Sequence, residues 1–265
     1  MKKNIAILFA LTMTTISCSN KSGNAPGSTA SASDPHSCLD IYTANSSSAS
    51  GTYFIDPDGA SGPLAQIQVY CEMSLNGGGW TLVMKQKSND GSTLQGDTAY
   101  WSSAATPALN DSAGNLNTSD QNLVSAAFNQ ISLTQMMLVA SNEVTQQLQS
   151  ITAASAFAAF QIAPTDFSDD TNATRPNWFI NTNSYPNGNA ITGARLGFNF
   201  RQRASGTTYC AARWGWTANQ DSTGSSLGTS DSCGGLGGYG TQYGGTFMSS
   251  SKNIWQPATV LLYVK

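Results

Sequence analysis

The sequence predicts an α+β domain with a central, mainly antiparallel sheet and short helices on it. Two kinds of pattern point there. Ile67, Val69, Cys71 and Met73 alternate with Gln66, Gln68, Tyr70 and Glu72, the period of a half-buried strand. After a glycine turn at Gly77–Gly79, Trp80, Leu82 and Met84 alternate with Thr81, Val83 and Lys85. Helical pattern is confined to two stretches, one capped by Asp120 and running to about Gln130, the other capped by Asn142 and running to about Phe160.

The chain opens on Lys2 and Lys3 before an apolar run, Ile5 to Met13, too short to span a bilayer as a mature helix. Residues 1–17 therefore read as a bacterial-type secretory signal. Thr15-Ile16-Ser17-Cys18 resembles a lipobox, which makes Cys18 the lipidated N-terminus of the mature chain. Residues 18–36 then form a Ser, Asn, Gly, Ala and Pro-rich tether that cannot bury enough apolar surface to order itself. Its reach as a flexible coil is about 25 Å. The expected location is the cell envelope, at the outer membrane or cell surface, with membrane contact only through the lipid. The alternative is ordinary signal cleavage and secretion.

Residues 37–265 contain no linker and no repeat, and read as one domain. The whole chain carries 12 basic and 15 acidic side chains, and cleavage removes two of the basic ones, leaving a formal charge of −5. No basic patch exists for a phosphate backbone, so nucleic acid is not an expected partner. Excluding Cys18, four cysteines remain: Cys38, Cys71, Cys210 and Cys233. An even count in an exported chain argues for two disulfides, with three connectivities open.

The other elements read coarsely. Tyr100-Trp101 to Asp120 is loop, and Leu133 to Ala140 is a strand. Arg195 to Arg203 is a strand with Leu196, Phe198 and Phe200 inward and Arg195, Asn199, Arg201 and Arg203 outward. Thr259 to Val264 is apolar on both faces, as a central strand is.

Catalysis has little to stand on. The only histidine, His36, falls at the edge of the tether, a poor place for a general base. Glu72 alternates outward on its strand, and Glu143 opens the second helix. No phosphate-cradling glycine motif appears. The chain is expected not to be an enzyme; a glycan hydrolase built on paired aspartates is the catalytic alternative.

The region from Cys210 to Phe247 has little periodicity and should be loop-built. It holds Asn219-Gln220-Asp221-Ser222-Thr223-Gly224, then Asp231, then the glycine-rich run Gly234 to Gly240. Calcium takes six to eight oxygen ligands from such groups. Aromatics crowd the same region. Trp214 and Trp255 are expected in the core, while Tyr239, Tyr243 and Phe247, set among glycines, suit an exposed pocket wall on which a sugar ring can stack. Arg175, Arg201 and Arg213 either contact a carboxylate or phosphate ligand or cover apolar surface.

The string Tyr70-Cys71-Glu72-Met73 … Gly77-Gly78-Gly79-Trp80-Thr81 resembles the signature of fibrinogen-like domains, with Glu72 where that family usually has Asp. Ser37-Cys38-Leu39-Asp40-Ile41 and Gly51-Thr52-Tyr53-Phe54-Ile55-Asp56-Pro57-Asp58-Gly59 resemble the family's opening. Ala258 to Tyr263 resembles the closing strand of its intelectin branch. The resemblance implies a disulfide-bonded N-terminal part, a central sheet and a loop-rich C-terminal binding subdomain. With sequence order, it favours the pairs Cys38–Cys71 and Cys210–Cys233. It also sets the closing strand inside the sheet, beside Trp80–Met84.

Arg203-Ala204 through Cys210-Ala211, and Gly238-Tyr239-Gly240-Thr241, resemble the intelectin binding subdomain, which binds calcium and chelates a vicinal diol of a sugar through it. Anchoring on Cys210 brings Asn219 near a ligand asparagine, and Asp221 near the next ligand, where intelectins have histidine. An alignment anchored on Cys233 is nearly as good. Asp231 is the other carboxylate close in sequence. The resemblance thus implies a lectin-like module for a glycan or similar cell-surface ligand, with Ca2+ as its ion. The non-lectin alternative is an adhesion module of the envelope that takes a peptide or protein in the same pocket.

Overall fold

The computed structural model describes residues 34–87, 93–94, 98–140, 146–162, 165–166, 192–200, 212–219, 232–237, 247–248, 255–256 and 259–265. The expected signal, Cys18 and the tether as far as residue 33 lie outside the described residues.

In chain order the elements are α1 (Cys38–Ala44), β1 (Gly51–Ile55), β2 (Ile67–Glu72), β3 (Trp80–Gln86), α2 (Ala99–Ser102), β4 (Leu123–Val124), α3 (Ala127–Gln130), β5 (Leu133–Ala140), β6 (Gln146–Ala153) and α4 (Ala156–Ala159). Then come β7 (Thr165–Asp166), β8 (Thr192–Phe200), β9 (Ala212–Asn219), β10 (Ser232–Leu236), β11 (Phe247–Met248), β12 (Trp255–Gln256) and β13 (Val260–Val264). The main sheet has the order β1-β2-β3-β13-β5-β6, with β4 also pairing β3. A second sheet has the order β10-β9-β8-β7, and β11 pairs with β12. All described pairings are antiparallel.

β13 lies between β3 and β5, so the expected neighbour of Trp80–Met84 is the one observed. Every residue of Val260–Val264 is buried, because both faces of the sheet are covered. β3 is buried along its whole length for the same reason, and the expected in–out alternation disappears there. The register shifts where Leu262 and Tyr263 pair with Met84 and Leu82. Such a bulge turns the strand, and the core follows it. Trp80 and Leu82 join Leu116, Leu123, Met137, Val139, Leu261 and Tyr263 on one face. Val83 and Met84 join Val69, Cys71, Met136, Leu138 and Leu262 in the larger cluster on the other.

The hairpin between β2 and β3 turns through four successive left-handed residues, Asn76 (φ 41°), Gly77 (79°), Gly78 (67°) and Gly79 (76°). Gly78 is required twice over. A Cβ there would stand 2.4 Å from the Tyr42 ring and 2.5 Å from the Met73 carbonyl oxygen. The bulky neighbour crossing the glycines is thus Tyr42 of α1. That helix is capped reciprocally: Ser37 Oγ accepts from Asp40 N–H (3.4 Å), and His36 N–H donates to Asp40 Oδ2 (2.7 Å). It is also fastened to β2 by the expected Cys38–Cys71 disulfide, with 5.4 Å between the Cα atoms. In the chain-entropy model such a bridge contributes about 3 kcal/mol.

Five further sequence expectations are corrected here. Of the helix expected from Asn142 to Phe160, the described residues are mostly strand: β6 pairs with β5, and among them only Ala156–Ala159 turns helical, capped by Ser155 Oγ accepting from Ala158 N–H (3.1 Å). Ladder bonds along β5 outweigh the high helix propensity of Gln and Ala, which tertiary context routinely overrides. The helix expected from Asp120 shrinks to Ala127–Gln130, since Leu123–Val124 bonds to β3 instead. Tyr100-Trp101 is not loop but part of α2, and Trp101 is fully buried. Asp34 to His36 are not free tether: Gln66 Nε2 donates to Asp34 Oδ2 (3.0 Å) and Asp56 N–H to the Pro35 carbonyl (2.8 Å).

Glu72, expected outward, is the fifth. It is 8% exposed, and its Oε1 accepts from Ser50 Oγ (2.9 Å), Ser74 N–H (2.8 Å), Ser74 Oγ and Leu75 N–H (3.3 Å). The carboxylate thereby closes the mouth of the glycine turn. Burial pushes its pKa up, but the donors from Ser74, Ser50 and Leu75 together outweigh burial and hold it below the ordinary glutamate range.

Two outcomes follow. Deleting residues 259–265 removes the strand bonded on both sides, and the truncated chain should show no cooperative unfolding transition by circular dichroism. For Glu72, a depressed native pKa stabilises the fold above the unfolded value of about 4.3, and this contribution is lost as pH falls through the lower native value. In urea titrations taken from pH 5 downward, wild type should therefore lose stability more steeply than Glu72→Gln.

Candidate functional site

The region from Cys210 to Phe247, expected to be loop-built, instead carries two strands of the second sheet, Ala212–Asn219 and Ser232–Leu236, because their backbones pair with each other and with β8. β8 and β9 pair from Thr192↔Asn219 to Phe200↔Ala212, and β9 and β10 from Ala218↔Ser232 to Trp214↔Leu236. The root of this sheet enters the main core through Phe198, Trp214 and Leu236, all buried. Their packing continues an aromatic chain from α2 and α4. Trp101 meets Phe160 edge-on at 4.9 Å between centroids, Phe160 stacks on Phe198 at 4.5 Å, and Phe198 meets Trp214 at 5.8 Å. Each such pair adds about 1 kcal/mol beyond its buried area.

Polar groups fix the angle of the joint. Arg213 is 1% exposed; its Nη1 donates to Asn199 Oδ1 (2.6 Å), and its guanidinium lies 5.4 Å from the centroid of the Trp101 ring. Asn199 Nδ2 donates to the Ile162 carbonyl. Asn199, expected outward, is 3% exposed and takes a left-handed φ of 61°, which asparagine tolerates. Gly237 N–H donates to Gln86 Oε1 (2.7 Å), joining the end of β10 to the end of β3. A Cβ on Gly237 would meet Arg213 Cγ at 2.6 Å, and one on Gly235 would meet the Trp214 carbonyl oxygen at 2.4 Å. These two glycines serve close packing. Arg213 is likewise a structural arginine.

Asp221 and Asp231 fall, by sequence, in the connection between two paired strands, with Asn219 before them. Asn219 closes β9, Ser232 opens β10 opposite Ala218, and residues 220–231 join them. Asp221 and Asp231 themselves lie outside the described residues, as do Tyr239, Tyr243, Cys210, Arg175, Arg201 and Glu143. Phe247 opens β11, paired with Gln256, and Cys233 pairs with Thr217; for these, as for Asn219 and Trp255, only the backbone is described. Among the described residues no three His, Cys, Asp or Glu side chains gather to hold a metal ion.

At the far end of the main sheet is a cavity of about 390 Å³, lined by residues including His36, Asp40, Thr81, Ser132, Thr134 and Lys265. The sequence reading missed it because His36 looked like tether. The His36 imidazole lies against Gly59, where an added Cβ would meet its Nε2 at 3.2 Å. The Lys265 ammonium turns away to the Gly78 carbonyl (2.8 Å), 5.3 Å from the centroid of the Trp80 ring.

Residues 34–176, more than half of the chain, match the family model of fibrinogen beta and gamma chains, C-terminal globular domain. The chain belongs to this family. No curated protein matches its sequence. Among solved structures, the fibrinogen-like globe domain of human ANGPTL6 is similar over 89% of this chain and 97% of its own, at 14% identity and a TM-score of 0.35. Fibrinogen-like domains are generally non-catalytic binding modules. In this one, the Arg213 joint carries the sheet from which the expected loops spring.

Arg213→Met keeps the buried stem but leaves Asn199 Oδ1 without its charged donor. It should cost about 2 kcal/mol in denaturant unfolding, the usual worth of a hydrogen bond to a charged group.

Proposed function

We propose that this fibrinogen-like chain is an exported, lipid-anchored binding module that recognises a glycan or similar surface ligand without turnover, with calcium at the ligand site. Family membership supports the binding role. The observation that carries the site is the β9–β10 hairpin: one connection of residues 220–231 holds Asp221 and Asp231, and Asn219 stands at its base. Two carboxylates and an amide are the hard oxygen donors calcium prefers. Bound there, the ion would supply the positive centre that a pair of sugar hydroxyls can chelate. Tyr239, Tyr243 and Phe247, on the segment after β10, supply the wall against which a ring stacks. Cys18 supplies the anchor, and residues between it and Asp34 the reach.

A glycan array with and without a calcium chelator tests this reading. Chelation should abolish binding, and calcium should raise the melting temperature of wild type. Asp221→Asn and Asp231→Asn should melt like calcium-free wild type and bind nothing. Retention of a protein partner that neither free sugars nor chelator displace would overturn the lectin reading in favour of a peptide-binding module. Turnover of a labelled glycan would overturn the non-catalytic one.

A further inference from the structure

Lys85 sits on the central strand β3 with no exposed surface, an unusual place for an ammonium. The described contacts of its Nζ are to neutral oxygens: the Asn115 carbonyl (2.8 Å), Asn117 Oδ1 (3.3 Å) and Ser119 Oγ (3.5 Å). The Asn117 carboxamide is held in place. Its Nδ2 donates to the Gly114 carbonyl (3.0 Å), and its Oδ1 accepts from Ser119 N–H (2.9 Å) and Ser119 Oγ as well as from Lys85. The segment carrying it is pinned by Leu116, which is buried, and by Asn115 Nδ2 donating to the Asn110 carbonyl (3.0 Å).

These are the parts of an amide-forming site. A buried amine is a nucleophile when neutral. The amide carbon lies one bond from an oxygen already 3.3 Å from that amine. Two donors from Ser119 stand where charge would develop on that oxygen during attack, the arrangement that stabilises an oxyanion. Pinning both partners removes the entropy cost of bringing them together.

We propose that Lys85 and Asn117 join in an intramolecular isopeptide bond. The Lys85 Nζ lone pair attacks Asn117 Cγ, the Cγ–Nδ2 bond breaks, and Nδ2 leaves as ammonia with a proton from the amine. No oxidant or co-reactant is needed. Burial lowers the Lys85 pKa to about 8, against a smaller upward pull from Asp120, so part of the population is neutral at ordinary pH. Asp120, whose Oδ1 accepts from Thr259 Oγ1, is a carboxylate whose charge reaches the ammonium. The product would tie β3 to a segment more than thirty residues later, at the opposite side of the turn from Cys38–Cys71, and unlike a disulfide would survive reduction.

Intact mass spectrometry of the reduced, purified chain tests it. The mass should be one ammonia, about 17 Da, below that of the sequence, as expected for an amine displacing an amide nitrogen. Trypsin should leave Lys85 uncut, in a branched peptide joined to the segment holding Asn117. Asn117→Ala and Lys85→Met should each show their full sequence mass. An unshifted wild-type mass overturns the proposal. So does a deficit that persists in Lys85→Met, which would mark a succinimide at Asn117 instead. The peptide-level readout on wild type needs no variant to fold, and none of these outcomes depends on what the domain binds.

Discussion

Everything in this molecule depends on the last strand lying in the middle of the sheet. Val260–Val264 bonds to Trp80–Gln86 on one side and Leu133–Ala140 on the other. The main sheet is therefore two hairpin-like halves until the end of the chain arrives. Its C-terminal residue is tied in as well, with Lys265 N–H donating to the Gln135 carbonyl (2.9 Å). Pairing of this kind closes long loops before its contacts are gained, which makes the topology slow to form and cooperative once formed. Covering both faces removes the usual polar side of an antiparallel sheet, and explains how Lys85 came to be enclosed.

The second constraint is the joint between the two sheets. An aromatic chain packs across it, but stacked rings can slide. Arg213, Asn199, Gln86 and the Gly237 N–H add directional contacts that fix one orientation. Buried polar groups of this kind are high in cost unless each finds a partner. The glycines at 235 and 237 let backbone and guanidinium stem approach closely enough for those partners to meet.

Glu72 and Tyr42 show how one string of residues serves several ends. The glycines between Asn76 and Gly79 look like a hinge in isolation. Tyr42 packs on them, and the Glu72 carboxylate gathers donors from Ser50, Ser74 and Leu75. The most recognisable stretch of the sequence is therefore a rigid corner that sets the fold.

By itself the sequence determined the alternation of β2, the glycine corner, the Cys38–Cys71 bridge expected from the family resemblance, and a closing strand apolar on both faces. These are local patterns, or pairings that a recognisable motif carries with it. The candidate ligand residues Asn219, Asp221 and Asp231 were legible as a cluster of oxygen donors, since they are close along the chain. Only the tertiary structure decided that residues 146–153 are strand, because ladder bonds come from β5 and not from the segment itself. It alone buried Glu72, Asn199, Arg213 and Lys85, whose partners lie from two to more than thirty residues away. Polar side chains carry no periodic signal of burial: whether one is solvated or satisfied internally depends on which distant groups the fold brings beside it.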